Sequence, residues 1–213
     1  MKLYDFAFSP NCRKVRALAY ELDIPLEPVH VNLVKGESRA PAFLVLNANG
    51  RVPVLVDDDF VLSESTAIMR YLSAKRGDAL VPTTLRGRAD VDRWLAWQLQ
   101  HLAPAMSKVA FERIVKKLTL QGAPDEAAIA AGSAEFEKLT SVLDAALKER
   151  DYVAGALSLA DFALAAHYSL ASMCGLDIAP HTHVQAWLAR MLARDSMKRA
   201  LADAHATILP HAA

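Results

Sequence analysis

The stretch "RVPVLVDDDFVLSES", Arg51 to Ser65, reads as a strand, an acidic turn, a second strand and a helix start. Val52–Val56 and Phe60–Leu62 make a hairpin around Asp57, Asp58 and Asp59. Pro53 stands inside the first apolar run, and proline has no backbone N–H to give to a ladder, so it is confined to edges, strand starts and bulges. A chain that gives up a ladder position here is built to put that position to another use, and binding is the simplest one.

On the N-terminal side, "KLYDF" is a short strand and "SPNCRKVRALAYELD" a helix with Val15, Leu18, Ala19 and Leu22 at helical spacing. "LEPVHVNL" is a second strand whose Pro28 predicts a sheet edge. "RAPAFLVLNANG" reads as a short irregular helix closed by its Asn-Ala-Asn-Gly punctuation. On the C-terminal side, a helix opens at "SES" and runs through Ile68, Tyr71 and Leu72 to about Arg76. The order β-α-β-α-β-β-α predicts a small mixed sheet with helices on its faces over residues 1–78.

After a linker at 79–88 the strand pattern stops. "VDRWLAWQLQHLAPAMSKVAFERIVKKL", "PDEAAIAAGSAEFEKLTSVLDAALKER", "LADFALAAHYSLASM" and "VQAWLARMLARDSMKRAL" are long helical segments, which predicts an all-helical bundle over 89–213. The fold class is therefore α/β followed by all-α.

The chain has 213 residues, 53% of them hydrophobic, enough for a proper core. Lys+Arg and Asp+Glu are both 24, so no global field attracts nucleic acid or anionic lipid. No apolar run approaches the roughly 18 residues of a membrane span, and Asp5 interrupts any secretory core at the start. A cytoplasmic protein is expected, with Cys12 and Cys174 as free thiols. There is no phosphate-binding glycine loop and no serine-hydrolase elbow, and "HTH" at His181–His183 lacks a third neighbouring metal ligand. No metal is expected.

Several local patterns carry chemistry. Ser9 before Pro10 suits a helix N-cap followed by proline at the first helical position. A hydroxyl held at a helix N-terminus can also donate to a bound sulfur and favour thiolate over thiol. "SPNC" is C-P-x-C with its first cysteine replaced by serine, so a dithiol exchange cycle within the motif is impossible, and Cys12 one turn into the helix reads as a packing residue. The amide of Asn11 could join a sulfur site or bond the nearby turn. Glu64 and Ser65 start a helix, where free N–H groups and the helix dipole favour an anion, although ordinary capping explains the same residues. Ser158 and Asp161 in "SLADFALA" fit a capping box.

With "SPNCRKVR" after the first strand, "VPVL…ES" later and "SLADFALA" in the helical part, the whole chain resembles the cytosolic glutathione transferase family, and a serine in the first loop is similar to its theta, delta and phi classes. The resemblance implies a thioredoxin-like first domain with a cis bond at Val52-Pro53, the backbone of Val52 pairing with the cysteinyl part of glutathione. It implies that Ser65 receives the γ-glutamyl carboxylate and Glu64 the neighbouring ammonium. Ser9, with Asn11 beside it, would stabilise the thiolate. Arg51 would face the glycine carboxylate, with Arg39 or Lys35 helping, and the absence of histidine at the motif positions leaves that end of the ligand loosely defined.

Trp97, His101, Met106 and Phe111 lie where the family walls its second-substrate pocket, although helical spacing alone suits a packed core equally well. The implied activity is conjugation of glutathione, as cosubstrate, to a small hydrophobic electrophile by a homodimer. Another glutathione-dependent reaction (peroxidase, dehalogenase or isomerase) and a non-catalytic ligand carrier of the same fold remain open alternatives.

Overall fold

The computed structural model describes residues 1–208. The chain divides into two compact units, Met1–Leu80 together with the segment from Ala193, and Val81–Leu192.

In the first unit the elements are β1 Lys2–Asp5, α1 Pro10–Glu21, β2 Glu27–His30, a 3-10 turn Glu37–Arg39, α2 Pro41–Leu44, β3 Val54–Asp57, β4 Phe60–Leu62 and α3 Ser65–Ala74. The sheet order is β2-β1-β3-β4, with β2 parallel to β1 and the other pairings antiparallel. This is the mixed sheet of a thioredoxin-like domain. β2 lies at an edge, where the donor missing at Pro28 costs least.

Register follows burial: Leu3 faces Leu55, and Leu55 faces Leu62. Leu3, Val54 and Leu55 are buried together with Val15, Leu18, Ile68, Met69 and Leu72 from α1 and α3. At the turn before β3, Asn47 holds the backbone: its Nδ2 donates to Arg51 O at 2.8 Å and its Oδ1 accepts from Asn49 N at 3.1 Å. Gly50 has φ +60°, and a Cβ there would lie 2.9 Å from Ser38 O, so glycine is required.

α1 is buried almost all round, from Cys12 to Ala19, including Arg13, Lys14 and Arg16. One partner on its outer side is the last helix, α10, Asp195–Ile208. The sequence assigns this helix to the helical domain of 89–213, whereas the packing groups it with residues 1–80. The physical reason is a polar seam. Arg194 is paired with Glu21, Ser196 Oγ donates to Glu21 Oε2 at 2.6 Å, and Tyr20 OH donates to Asp203 Oδ2 at 2.8 Å. Met197 and Ala200 are buried on the same side.

The second unit is all-helical. α4 Leu85–Trp97 runs through a π-helical turn, Gln98–Leu102, into α5 Ala103–Ala110, then a second π-helical turn, Phe111–Val115, into α6 Lys116–Thr119. Pro104 explains the first wide turn, because its ring cannot fit against the carbonyl four residues back and it lacks the N–H of a regular helix. α7 Glu126–Leu147, α8 Leu159–Tyr168 and α9 Thr182–Leu192 complete the unit. Gly132 lets α7 approach α5, since a Cβ there would lie 2.8 Å from Val109 Cγ2.

The capping box is present, and Asp161 does more than cap. It accepts from Ser158 N and Ser158 Oγ, each at 2.9 Å, and from Val153 N and Trp187 Nε1, each at 3.0 Å, tying α8 to α9 and to the preceding loop. Of the "HTH" histidines, His183 serves a helix start: Asp144 on α7 accepts from His183 N at 2.9 Å and Val184 N at 3.0 Å. Among the described residues no three His, Cys, Asp or Glu side chains group as metal ligands, and no helix is long and apolar enough to cross a membrane.

Candidate functional site

The candidate site in the first unit is built on two helix N-termini. Ser9 is the N-cap residue of α1, with Pro10 next, yet its hydroxyl accepts no helix N–H. Its backbone N donates to Phe6 O at 2.8 Å, which closes the loop between β1 and α1. A half-buried hydroxyl at a helix N-terminus that is not spent on capping is available to donate to an anion there.

Asn11 and Ser65 meet: Ser65 Oγ donates to Asn11 Oδ1 at 3.4 Å. The two N-termini, of α1 and α3, therefore lie within one side-chain contact of each other. Ser65 is buried and Glu64, the N-cap of α3, is exposed and likewise makes no side-chain cap. Glu64 has φ +66° and ψ 106°, a conformation that costs a non-glycine residue of order 1–3 kcal/mol and persists only where the surroundings over-determine it. Neither residue spends its side chain on a helix N–H, so ordinary capping does not account for the pair.

The peptide bond Val52-Pro53 is cis. β3 begins only at Val54, so Val52 stays outside the ladder, while its side chain packs on the buried cluster of Val31, Phe43 and Val54. Its apolar group is inward and its main chain is left for an extended partner. Pro53 is buried and Arg51 exposed. Arg39 is exposed too and donates from Nη1 to Asn49 O at 3.3 Å, on the same turn that carries Arg51, and Lys35 is exposed.

Sequence reading overlooked one neighbour. Lys14 is completely buried, and its Nζ lies 3.2 Å from Thr66 Oγ1, one residue beyond Ser65. Burial brings its ammonium down to about 7, opposed by the charge of Glu64. A lysine on the buried face of an amphipathic helix was the available signal.

Cys12 has no access to solvent. Burial, with Asp5 adding to it, pushes its thiol well above the ordinary range, while the Phe6 backbone and Ser9 pull weakly the other way. It is a packing residue and a weak acceptor, taking Phe6 N at 3.5 Å.

In the second unit the four expected pocket residues separate. Trp97 is half-buried, its ring edge-on to buried Trp94 at 5.3 Å and 6.4 Å from the ring of His101. His101 and Phe111, four and fourteen residues after Trp97, are exposed. Met106 is buried with Leu102, Ala105 and Val109 and belongs to the core of the unit.

Comparison with known proteins identifies the family and the fold. A family model described as the glutathione S-transferase N-terminal domain matches residues 3–79, and one described as the C-terminal domain matches 102–195. Glutathione S-transferase 3 of Zea mays is 34% identical over 212 residues, covering 95% of this chain and 93% of the relative. The theta-class glutathione S-transferase of Xanthomonas axonopodis pv. citri, solved with glutathione bound, superposes with TM-score 0.87 at 30% identity, covering 94% of this chain and 96% of the other. Maize glutathione S-transferase I, solved with an atrazine glutathione conjugate, gives TM-score 0.86 at 27% identity over 96% and 97%.

Proposed function

The chain belongs to the glutathione S-transferase family, and from that premise we propose that it conjugates the thiolate of glutathione to small hydrophobic electrophiles. The tripeptide lies extended along Val52, its γ-glutamyl carboxylate on Ser65 and the N-terminus of α3, its ammonium near Glu64. Arg51, with Arg39 beside it, meets the glycine carboxylate. The Ser9 hydroxyl donates a hydrogen bond to the sulfur and keeps its proton, supported by the dipole of α1 and by Asn11. The thiol proton leaves to solvent, the sulfur lone pair forms a C–S bond, and the leaving group departs with its electron pair.

The observation that carries this reading is the Ser65–Asn11 hydrogen bond, which joins the anion-favouring ends of α1 and α3 close to Ser9, whose hydroxyl is not spent on capping. One end takes the carboxylate and the other the thiolate. Lowering a thiol pKa by about two units needs about 2.7 kcal/mol, within reach of one charge-assisted hydrogen bond and a helix terminus.

The second substrate meets Trp97, His101 and Phe111, with Met106 behind them as packing. A homodimer in the cytoplasm is the assembly we propose, and the exposed Phe60 and Val61 on edge strand β4 supply apolar surface for a second copy.

Glutathione addition to an aryl halide tests the proposal. Ser9→Ala is expected to lower kcat/KM at pH 6.5 by about tenfold to a hundredfold, the thiolate fraction lost for one to two pKa units. Turnover equal to wild type would remove Ser9 from the mechanism. Calorimetry with reduced glutathione reads the binding half separately, and no heat at millimolar ligand would remove the site.

A further inference from the structure

We infer that Arg16 is a positioning residue for the loop that presents Ser9, and that the C-terminal helix α10 holds Arg16 in place; the inference rests on the role of Ser9 proposed above. Arg16 lies on α1, 3% exposed, and its guanidinium meets four oxygens from three parts of the first unit. It forms an ion pair with Asp5 Oδ2 at the end of β1. Nη2 donates to Ala7 O at 2.8 Å and to Ala200 O at 3.1 Å, and Nε lies 3.4 Å from Asp203 Oδ2, an ionic contact without hydrogen-bond geometry.

Ala7 is two residues before Ser9, in a connection of only four residues. Its other ties include the Ser9 N to Phe6 O bond, the Arg13 N to Ser9 O bond at 2.9 Å and the weak Phe6 N to Cys12 Sγ contact. The backbone bond to Ser9 O holds the end of the loop on α1, and the bond to Ala7 O is the charged one that holds its middle, since a guanidinium donor is charged and rigid. A cavity of about 270 Å³ borders the same place, lined among others by Asp5, Ala7, Arg16, His30 and Asp203. The cavity leaves open space beside Ala7.

α10 in turn holds Arg16. Asp203 also accepts from Tyr20 OH, and the Arg199 guanidinium lies 4.0 Å over the Tyr20 ring. The pairing of Arg194 and Ser196 with Glu21 anchors the start of the helix. The end of the chain thus reaches the loop of Ser9 through one side chain.

Arg16→Lys is the discriminating variant, because an ammonium keeps a charge beside Asp5 but cannot serve Asp5, Ala7 O and Ala200 O with one planar fork. Two readouts are needed: the pH profile of kcat/KM for glutathione addition to an aryl halide, and amide hydrogen exchange of the Ala7–Ser9 segment. Arg16→Lys is expected to bind glutathione within about threefold of wild type. Its apparent thiol pKa rises by about one unit, giving about tenfold lower kcat/KM at pH 6.5 and little loss at pH 9. Exchange at Ala7–Ser9 is faster at least tenfold. Asp203→Asn, on the more exposed side of the cluster, shows the same changes at smaller size and serves if Arg16→Lys does not fold.

Added to Ser9→Ala, Arg16→Lys produces no further shift of the pH profile, as two residues acting through one atom are non-additive. An unchanged profile and unchanged exchange in a folded variant would overturn the inference, and so would additive effects of the two substitutions. If Ser9→Ala alone is silent, the role of Ser9 falls, and the exchange data still decide whether Arg16 holds the loop.

Discussion

Lys14 Nζ donates to Thr66 Oγ1 across 3.2 Å, so a fully buried ammonium on α1 is tied to α3 immediately after Ser65. Its pKa in the folded chain is about 7, lowered by burial against the opposing charge of Glu64. The unfolded chain keeps an ordinary lysine near 10.4, so between about pH 7 and 10 it binds more protons than the folded one, and stability rises with pH across that window. Lys14→Met, similar in volume and uncharged, should raise the unfolding free energy at pH 7 by about 1–4 kcal/mol and by much less at pH 10. Urea titrations at the two pH values check it, and equal gains at both would show that the lysine is not neutralised by burial.

Asp161 is the buried junction of the second unit, accepting from two backbone N–H groups, the Ser158 hydroxyl and the Trp187 indole. Asp161→Ala leaves Val153 N, Ser158 N and Trp187 Nε1 without that acceptor, and the expected loss is about 3–5 kcal/mol in denaturant unfolding. Asp161→Asn, which keeps one acceptor oxygen, should fall between it and wild type.

Both cysteines are buried. Burial pushes the Cys174 thiol up to about 11, with Arg113 opposing, and holds that of Cys12 above the ordinary range. A thiol-disulfide reagent at pH 8 should therefore label neither in the native protein and both after denaturation with guanidinium. Rapid native labelling of Cys12 would show that the β1–α1 loop opens.

Asp144 starts α9 from the side, accepting from two of its N–H groups and from His183 Nδ1 at 2.9 Å. Burial raises its pKa, but the His183 ring and the two backbone donors outweigh this and the net value lies below the ordinary one. The contribution is present above the unfolded carboxylate pKa and is lost as pH falls through the lower folded value. Asp144→Ala should cost about 1–2 kcal/mol at pH 7, with the gap to wild type narrowing toward pH 3 in thermal unfolding.

The kind of fold and the positions of the candidate site's helix ends are written in neighbouring residues. The apolar run Val52–Val56, the helical spacing of Val15, Leu18 and Leu22, and Pro28 as an edge marker depend on short-range pattern and on a missing donor, which are local properties. Likewise Ser9 before Pro10, Pro53 in a strand and Glu64-Ser65 at a helix start are contiguous signals, and these residues lie at the helix ends, and at the strand start next to Val52, that such signals predict.

Tertiary structure alone decided what depends on distance through space. Periodicity cannot say which polar side chains at buried positions find partners, so Lys14 at Thr66 and Arg16 among Asp5, Ala7 and Asp203 were invisible until α1 met α3 and α10. The same limit hid the packing of α10 with residues 1–80: an amphipathic helix has an apolar face, but nothing in its own residues names what that face will cover. Met106 parted from Trp97, His101 and Phe111 for a related reason, since one helical repeat supports both a core stripe and an open one, and only the packing of α5 against α7 tells them apart.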